Sequence, residues 1–163
     1  MRKTLLLIAL LAIPPAARSA PAHVHGAGHL DVAIDKGQIT IALELPLDAA
    51  VGFERAPKDD KEKAALVATD KALRDAAALF MPTPAANCTL QSVKLDMPQF
   101  AGGEHADIDA SYVFRCAAPA ELKGIETTIF KQFKRLYRLE TQRSGPNGQG
   151  AARLTPKHPV VSW

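Results

Sequence analysis

Apolar and polar residues alternate through much of this chain. From His29 to Ile34, Leu30, Val32 and Ile34 fall on one side, and His29, Asp31 and Ala33 fall on the other. That is the period of a half-buried strand. Asp35-Lys36-Gly37 reads as a turn, and Gln38 to Leu45 returns with Ile39, Ile41, Leu43 and Leu45 inward. The two segments predict a hairpin, which Pro46 ends. Asn87 to Leu95 alternates less strongly and predicts a third strand. His105 to Cys116 alternates clearly, with Ile108, Ala110, Tyr112, Phe114 and Cys116 on one face. Arg135 to Thr141 and Ala151 to Leu154 supply the remaining predicted strands, with the Gly-rich turn 144–150 between them.

The period changes between about Lys58 and Phe80. This stretch is rich in Ala, Leu, Lys and Asp and has no internal Gly or Pro, so it predicts a long helix. Leu66, Leu73 and Ala77 share the face expected to pack on the sheet. Pro82 and Pro84 end it. Upstream, Asp48 can cap a helical turn, and Gly52-Phe53-Glu54 can set an aromatic on the sheet. Ile125, Ile129 and Phe133 recur at helical spacing and predict a shorter second helix. The expected class is α+β: a mostly antiparallel sheet with one long helix packed on it and a shorter second helix.

The amino-terminal residues belong to a different kind of segment. Arg2 and Lys3 precede an uncharged apolar run from Leu5 to Ile13, and Pro14-Pro15 follows. The run is far short of the roughly 20 residues a spanning helix needs. Ala20-Pro21-Ala22 offers small residues for a cut after Ala22, and a cut after Ser19 competes. Residues 1–22 therefore read as a cleaved secretory signal peptide, with 23–163 as one domain, no membrane span after cleavage, and a periplasmic address.

The leader changes the charge picture. It holds three of the 20 Lys and Arg and none of the 17 acids, so the remainder is formally neutral. No basic stripe with interleaved aromatics is present, which argues against a nucleic-acid partner. The block Lys131, Lys134, Arg135 and Arg138 reads as a solvated edge. Cys88 and Cys116 form an even pair in an oxidising compartment, which reads as a disulfide. Closing that loop is worth roughly 3.5 kcal/mol on the chain-entropy estimate. The alternative, a pair of thiolate metal ligands, lacks the close Cys spacing of zinc sites.

Candidate chemistry concentrates at the start of the mature chain. Three of the five histidines, His23, His25 and His29, lie within seven positions. With a carboxylate, three imidazoles can hold Zn(II) tetrahedrally. A free amine on His23, two backbone amides and the His25 imidazole would instead suit Cu(II) or Ni(II) in a square plane. The competing reading is a polar terminus in which the histidines are incidental. A second set, His105, Asp107 and Asp109, shares one face of its strand. His105 and Asp107 are the secondary metal candidates there, against an ordinary solvent-facing strand. No G-x-S-x-G, H-E-x-x-H, P-loop or dinucleotide motif is present, so no residues nominate an enzyme.

Taken in order, His23-Val24-His25-Gly26, the hairpin, Pro46, Gly52-Phe53-Glu54, the helix, Cys88, His105-x-Asp107 and Tyr112-x-Phe114-x-Cys116 resemble the ZrgA-like family of secreted bacterial proteins. The resemblance covers nearly all of the mature chain. It implies a zinc-binding protein that assists metal uptake or buffering, with a metal-uptake transporter component as partner. Members often carry a long His/Asp/Glu-rich tract before the second cysteine strand. Here that position holds only Gly102-Gly103-Glu104-His105-Ala106-Asp107, enough for one or two ions. The alternatives are a structural or partner-binding module without metal, and the copper or nickel terminus.

Overall fold

The computed structural model describes residues 24–100 and 106–162. The expected leader, His23 and His105 lie outside the described residues. Two sheets carry the architecture. The larger has six strands in the order β4-β5-β2-β1-β7-β8, and the smaller has three in the order β3-β6-β9. In the large sheet β1 (Ala27–Asp35), β2 (Gln38–Pro46), β4 (Cys88–Asp96), β5 (Asp107–Cys116), β7 (Arg138–Gly145) and β8 (Gly148–Leu154) pair antiparallel, except for the parallel neighbours β1 and β7. The small sheet is β3 (Phe80–Pro82), β6 (Gly124–Thr127) and β9 (Val160–Ser162).

The central hairpin forms as its pattern requires. Lys36 and Gly37 take positive φ, 45° and 79°, and Asp35 pairs with Gln38. Two left-handed residues between paired ends make the turn whose twist suits a two-residue hairpin. On the inner face Leu30, Val32, Ile39, Ile41, Leu43, Leu45, Ile108, Tyr112 and Phe114 are all buried. The small sheet covers that face: the Phe80 ring of β3 lies 5.0 Å from the Tyr112 ring of β5. Cys88 and Cys116 are direct cross-strand partners and form a disulfide.

The expected α+β class is corrected by this arrangement. Strands account for 48% of the structure, which makes it a mostly β protein. The long helix predicted to Phe80 ends early. Helix α2 (Asp60–Arg74) stops where Asp75 takes φ −85° and ψ 66°, and the Asp75 side chain accepts from the Ala78 N–H to start a separate turn, α3 (Ala76–Leu79). Residues of that type compete with the helix backbone for hydrogen bonds. Of α2's own side chains only Thr69 and Leu73 are buried, so it borders the core without covering the sheet.

The expected second helix is also replaced. Ile125 and Thr127 are buried from strand β6, between β3 and β9, and only α4 (Ile129–Gln132) is helical. Ile125, Ile129 and Phe133 are all buried. Spacings of four satisfy a period of 2 as well as one of 3.6, so the pattern did not separate the two.

Candidate functional site

The site grows out of the far end of the hairpin. Pro46 closes β2, and its missing N–H and fixed φ suit the entry to a helix. The short helix α1 (Leu47–Val51) follows. The Leu47 N–H donates to the carbonyl of Ala106 (2.9 Å), just before β5, and the Gly52 N–H closes the turn on the carbonyl of Asp48 (2.8 Å). Gly52 sits at φ 89°, with the Arg135 guanidinium 2.9 Å from where a Cβ would stand. Only glycine takes that backbone with that neighbour. Asp48 is thus fixed from both sides.

Glu54 is held by the next few residues. Arg55 forms two hydrogen bonds to Glu62 near the start of α2, each 2.7 Å, and the Lys58 N–H donates to the same carboxylate at 2.7 Å. These donors, Arg55 first and then the Lys58 amide, lower the Glu62 pKa to about 2. The clamp fixes the loop that carries Glu54.

His25 arrives from the other strand. The Ala27 N–H donates to the carbonyl of Val24 (2.9 Å), making a turn with His25 and Gly26 at its centre. Gly26 has φ 71°, and a Cβ there would stand 2.8 Å from the carbonyl oxygen of Arg135 and from the Tyr137 ring. Its carbonyl accepts from the Tyr137 N–H (2.9 Å). The glycine lets the turn lie flat against the start of β7 and presents the imidazole to α1.

The result is one compact set of ligand atoms. His25 Nδ1 lies 3.3 Å from Asp48 Oδ2 and 3.4 Å from Glu54 Oε1. Among the described residues these three form the one group of His, Cys, Asp and Glu able to hold a metal ion, with ligand atoms all within 4.8 Å of one another. The remaining oxygen of Asp48, Oδ1, is buried and meets no hydrogen-bond donor. Zn(II) bonds nitrogen and oxygen at about 2.0–2.2 Å, so ligands on one tetrahedron stand roughly 3.3–3.6 Å apart. The two His25 separations lie at that edge, and the two carboxylates stand within 4.8 Å of each other.

Of the other expected ligands, His29 and Asp107 are described, and both stand outside this group. His29 lies on the open face of the large sheet, paired with Glu44 on one side and Glu140 on the other. Arg138 and Arg153 both pair with Glu140, at 3.3 and 3.0 Å. Glu44 is opposite Asp109, which is in turn opposite Asp96. His29 and these three acids line a shallow depression with Lys94. Asp107 occupies the first position of β5, opposite Pro46. Neither His29 nor Asp107 belongs to the group around His25.

Asp48 and Glu54 were not expected as ligands. A partial signal for Asp48 was present in the hairpin: pairing β1 with β2 brings the residues before β1 and those after β2 to the same end of the sheet. Glu54 had no comparable signal, because a left-handed glycine turn brings it back.

No described helix is long and apolar enough to cross a membrane. Comparison with curated proteins found no match. A family model described as "ZrgA family zinc uptake protein" matches residues 22–163. That match spans the hairpin, both sheets, the disulfide and all three members of the His25 group. The chain belongs to the ZrgA family of zinc uptake proteins.

Proposed function

We propose that this protein is a periplasmic zinc carrier that holds one Zn(II) between His25, Asp48 and Glu54 and delivers it to an uptake system. The observation that carries this reading is the spacing of the three ligand atoms, which suits a tetrahedral ion. The family's zinc-uptake description, the disulfide and the signal-peptide pattern of residues 1–22 support it. An imidazole with two carboxylates is a mixed set of moderate charge. It is suited to an ion that must leave again, and Zn(II) accepts it without a fixed geometric demand.

The copper or nickel alternative needs His25 folded back on its own backbone amides. Its Nδ1 instead faces Asp48 and Glu54. Calorimetric titration of the secreted protein with Zn(II), Cu(II) and Ni(II), after its mass has fixed the mature terminus, separates the readings. One zinc per chain, lost in Asp48→Asn and Glu54→Gln and indifferent to an extra residue before His23, supports the carrier. Copper binding that vanishes with the extra residue supports the terminal chelate. Binding no better than that of a surface histidine leaves a partner-binding module.

A further inference from the structure

One residue meets both turns of the site. Arg135 is exposed and lies just before β7. Its backbone carbonyl oxygen is 2.8 Å from where a Cβ on Gly26 would stand, in the turn that carries His25. Its guanidinium is 2.9 Å from where a Cβ on Gly52 would stand, four residues after Asp48 and two before Glu54. Both positions are glycines in the left-handed region, at φ 71° and 89°, and a side chain at either would occupy the space that Arg135 fills. Two other arginines near these turns are committed elsewhere: Arg55 pairs with Glu62 at 2.7 Å, and Arg138 with Glu140 at 3.3 Å. Among the described residues no acid forms an ion pair with Arg135. A guanidinium that no carboxylate neutralises therefore stands beside the two carboxylates of the site.

We propose that Arg135 sets how tightly the ion is held, its positive charge lowering the zinc affinity of the His25 group. The inference rests on the reading of a zinc site given above. In the empty site Asp48 and Glu54 each carry a negative charge, and the guanidinium beside them is attracted to both. Zn(II) cancels those two charges, and a neutral His25 adds none. Binding therefore forfeits the attraction to Arg135, and release restores it. The guanidinium cannot be deprotonated in a protein, so this opposition is permanent. It also acts near the surface, where charges are screened by salt. At surface dielectric, losing a unit charge at this range changes a binding constant by about threefold to tenfold. A carrier that must give its ion away gains a faster release from such a charge without losing a ligand.

The test is the zinc dissociation constant of the secreted protein, measured by competition with a fluorescent zinc chelator in low and in high sodium nitrate. The variants are Arg135→Gln and Arg135→Met, which remove the charge, and Arg135→Lys, which keeps it. Lys36→Asn is the control: it makes the same change of net charge in the hairpin turn, at the opposite end of β1 and β2 from the site. The proposal expects Arg135→Gln and Arg135→Met to bind one zinc about threefold to tenfold more tightly in low salt, with the gain shrinking in high salt. It expects Arg135→Lys and Lys36→Asn to stay at the wild-type value. Unchanged or weaker binding in both charge-removing variants overturns it, as does a gain that high salt leaves intact or that Arg135→Lys shares; each of these results leaves the zinc site standing. If the wild type binds no stoichiometric zinc, the site itself fails and this proposal with it.

Discussion

Zinc should raise the melting temperature of this protein, and the rise should depend on each of the three ligands. Binding to the folded state alone stabilises by RT ln(1 + [L]/Kd), about 2.7 kcal/mol at a free zinc concentration of 100 Kd. A domain of about 140 residues unfolds with an entropy near 2.1 cal/mol/K per residue, or roughly 0.3 kcal/mol/K, so the melting point should rise by about 9 °C. Losing one of three ligands is taken as at least a hundredfold loss of affinity. At the same zinc concentration that leaves about RT ln 2, roughly 0.4 kcal/mol, a shift of between 1 and 2 °C. The assay is calorimetric melting at pH 7.5 with and without zinc for the wild type, His25→Ala, Asp48→Asn and Glu54→Gln. His29→Ala is the control, since that side chain lies on the open face of the sheet away from the group. Full shifts in Asp48→Asn and Glu54→Gln would refute the assignment. A full shift in His25→Ala with losses in the other two would show that the imidazole is not a ligand.

Three further outcomes test other parts of the structure. Tyr112→Phe should stabilise by about 1 kcal/mol, or about 3 °C, because the hydroxyl is buried without a hydrogen-bond partner and such a group costs rather than contributes; a loss of 1 kcal/mol or more in urea unfolding would mean that a partner exists. Asp109→Asn removes an acid directly opposite both Glu44 and Asp96, so it should gain about 0.2–1 kcal/mol, or about 1–3 °C, and the gain should shrink in 1 M salt. Glu62 has its pKa lowered from 4.5 to about 2 by Arg55 and the Lys58 amide. Its contribution is therefore complete above the unfolded value and fades as pH falls through the folded one. The melting-point gap between wild type and Glu62→Gln should be constant above about pH 5 and close toward pH 2.

The sheet was readable where one face is buried and the other wet. In β2, Ile39, Ile41, Leu43 and Leu45 alternate with Gln38, Thr40, Ala42 and Glu44, and a one-residue slip would expose all four apolar side chains. The helical stretch misled because composition there reports propensity, not packing. Lys, Ala and Leu from 58 to 74 favour a helix wherever it lies, and α2 lies at the edge of the core. The parallel β1–β7 pair joins segments more than a hundred residues apart, and nothing local encodes such a pairing.

The site was partly readable for the same physical reason as the sheet. An antiparallel hairpin brings the residue before its first strand and the residue after its second to one end of the sheet. His25 and Asp48 meet at that end, where ladder pairing gives way to a glycine turn on one side and a short helix on the other. Two left-handed glycines, Gly26 and Gly52, end the regular structure within reach of Arg135 and leave the ligands facing one another. That placement separates binding from folding. The hydrophobic core runs from Leu30 through Tyr112 to Val161 and includes none of the three ligands. On the proposed reading, zinc would add to a core that does not depend on its ligands, unlike small domains whose folding free energy is the metal's. The proposed carrier, which would have to stay folded both before it takes up an ion and after it gives that ion away, calls for this arrangement.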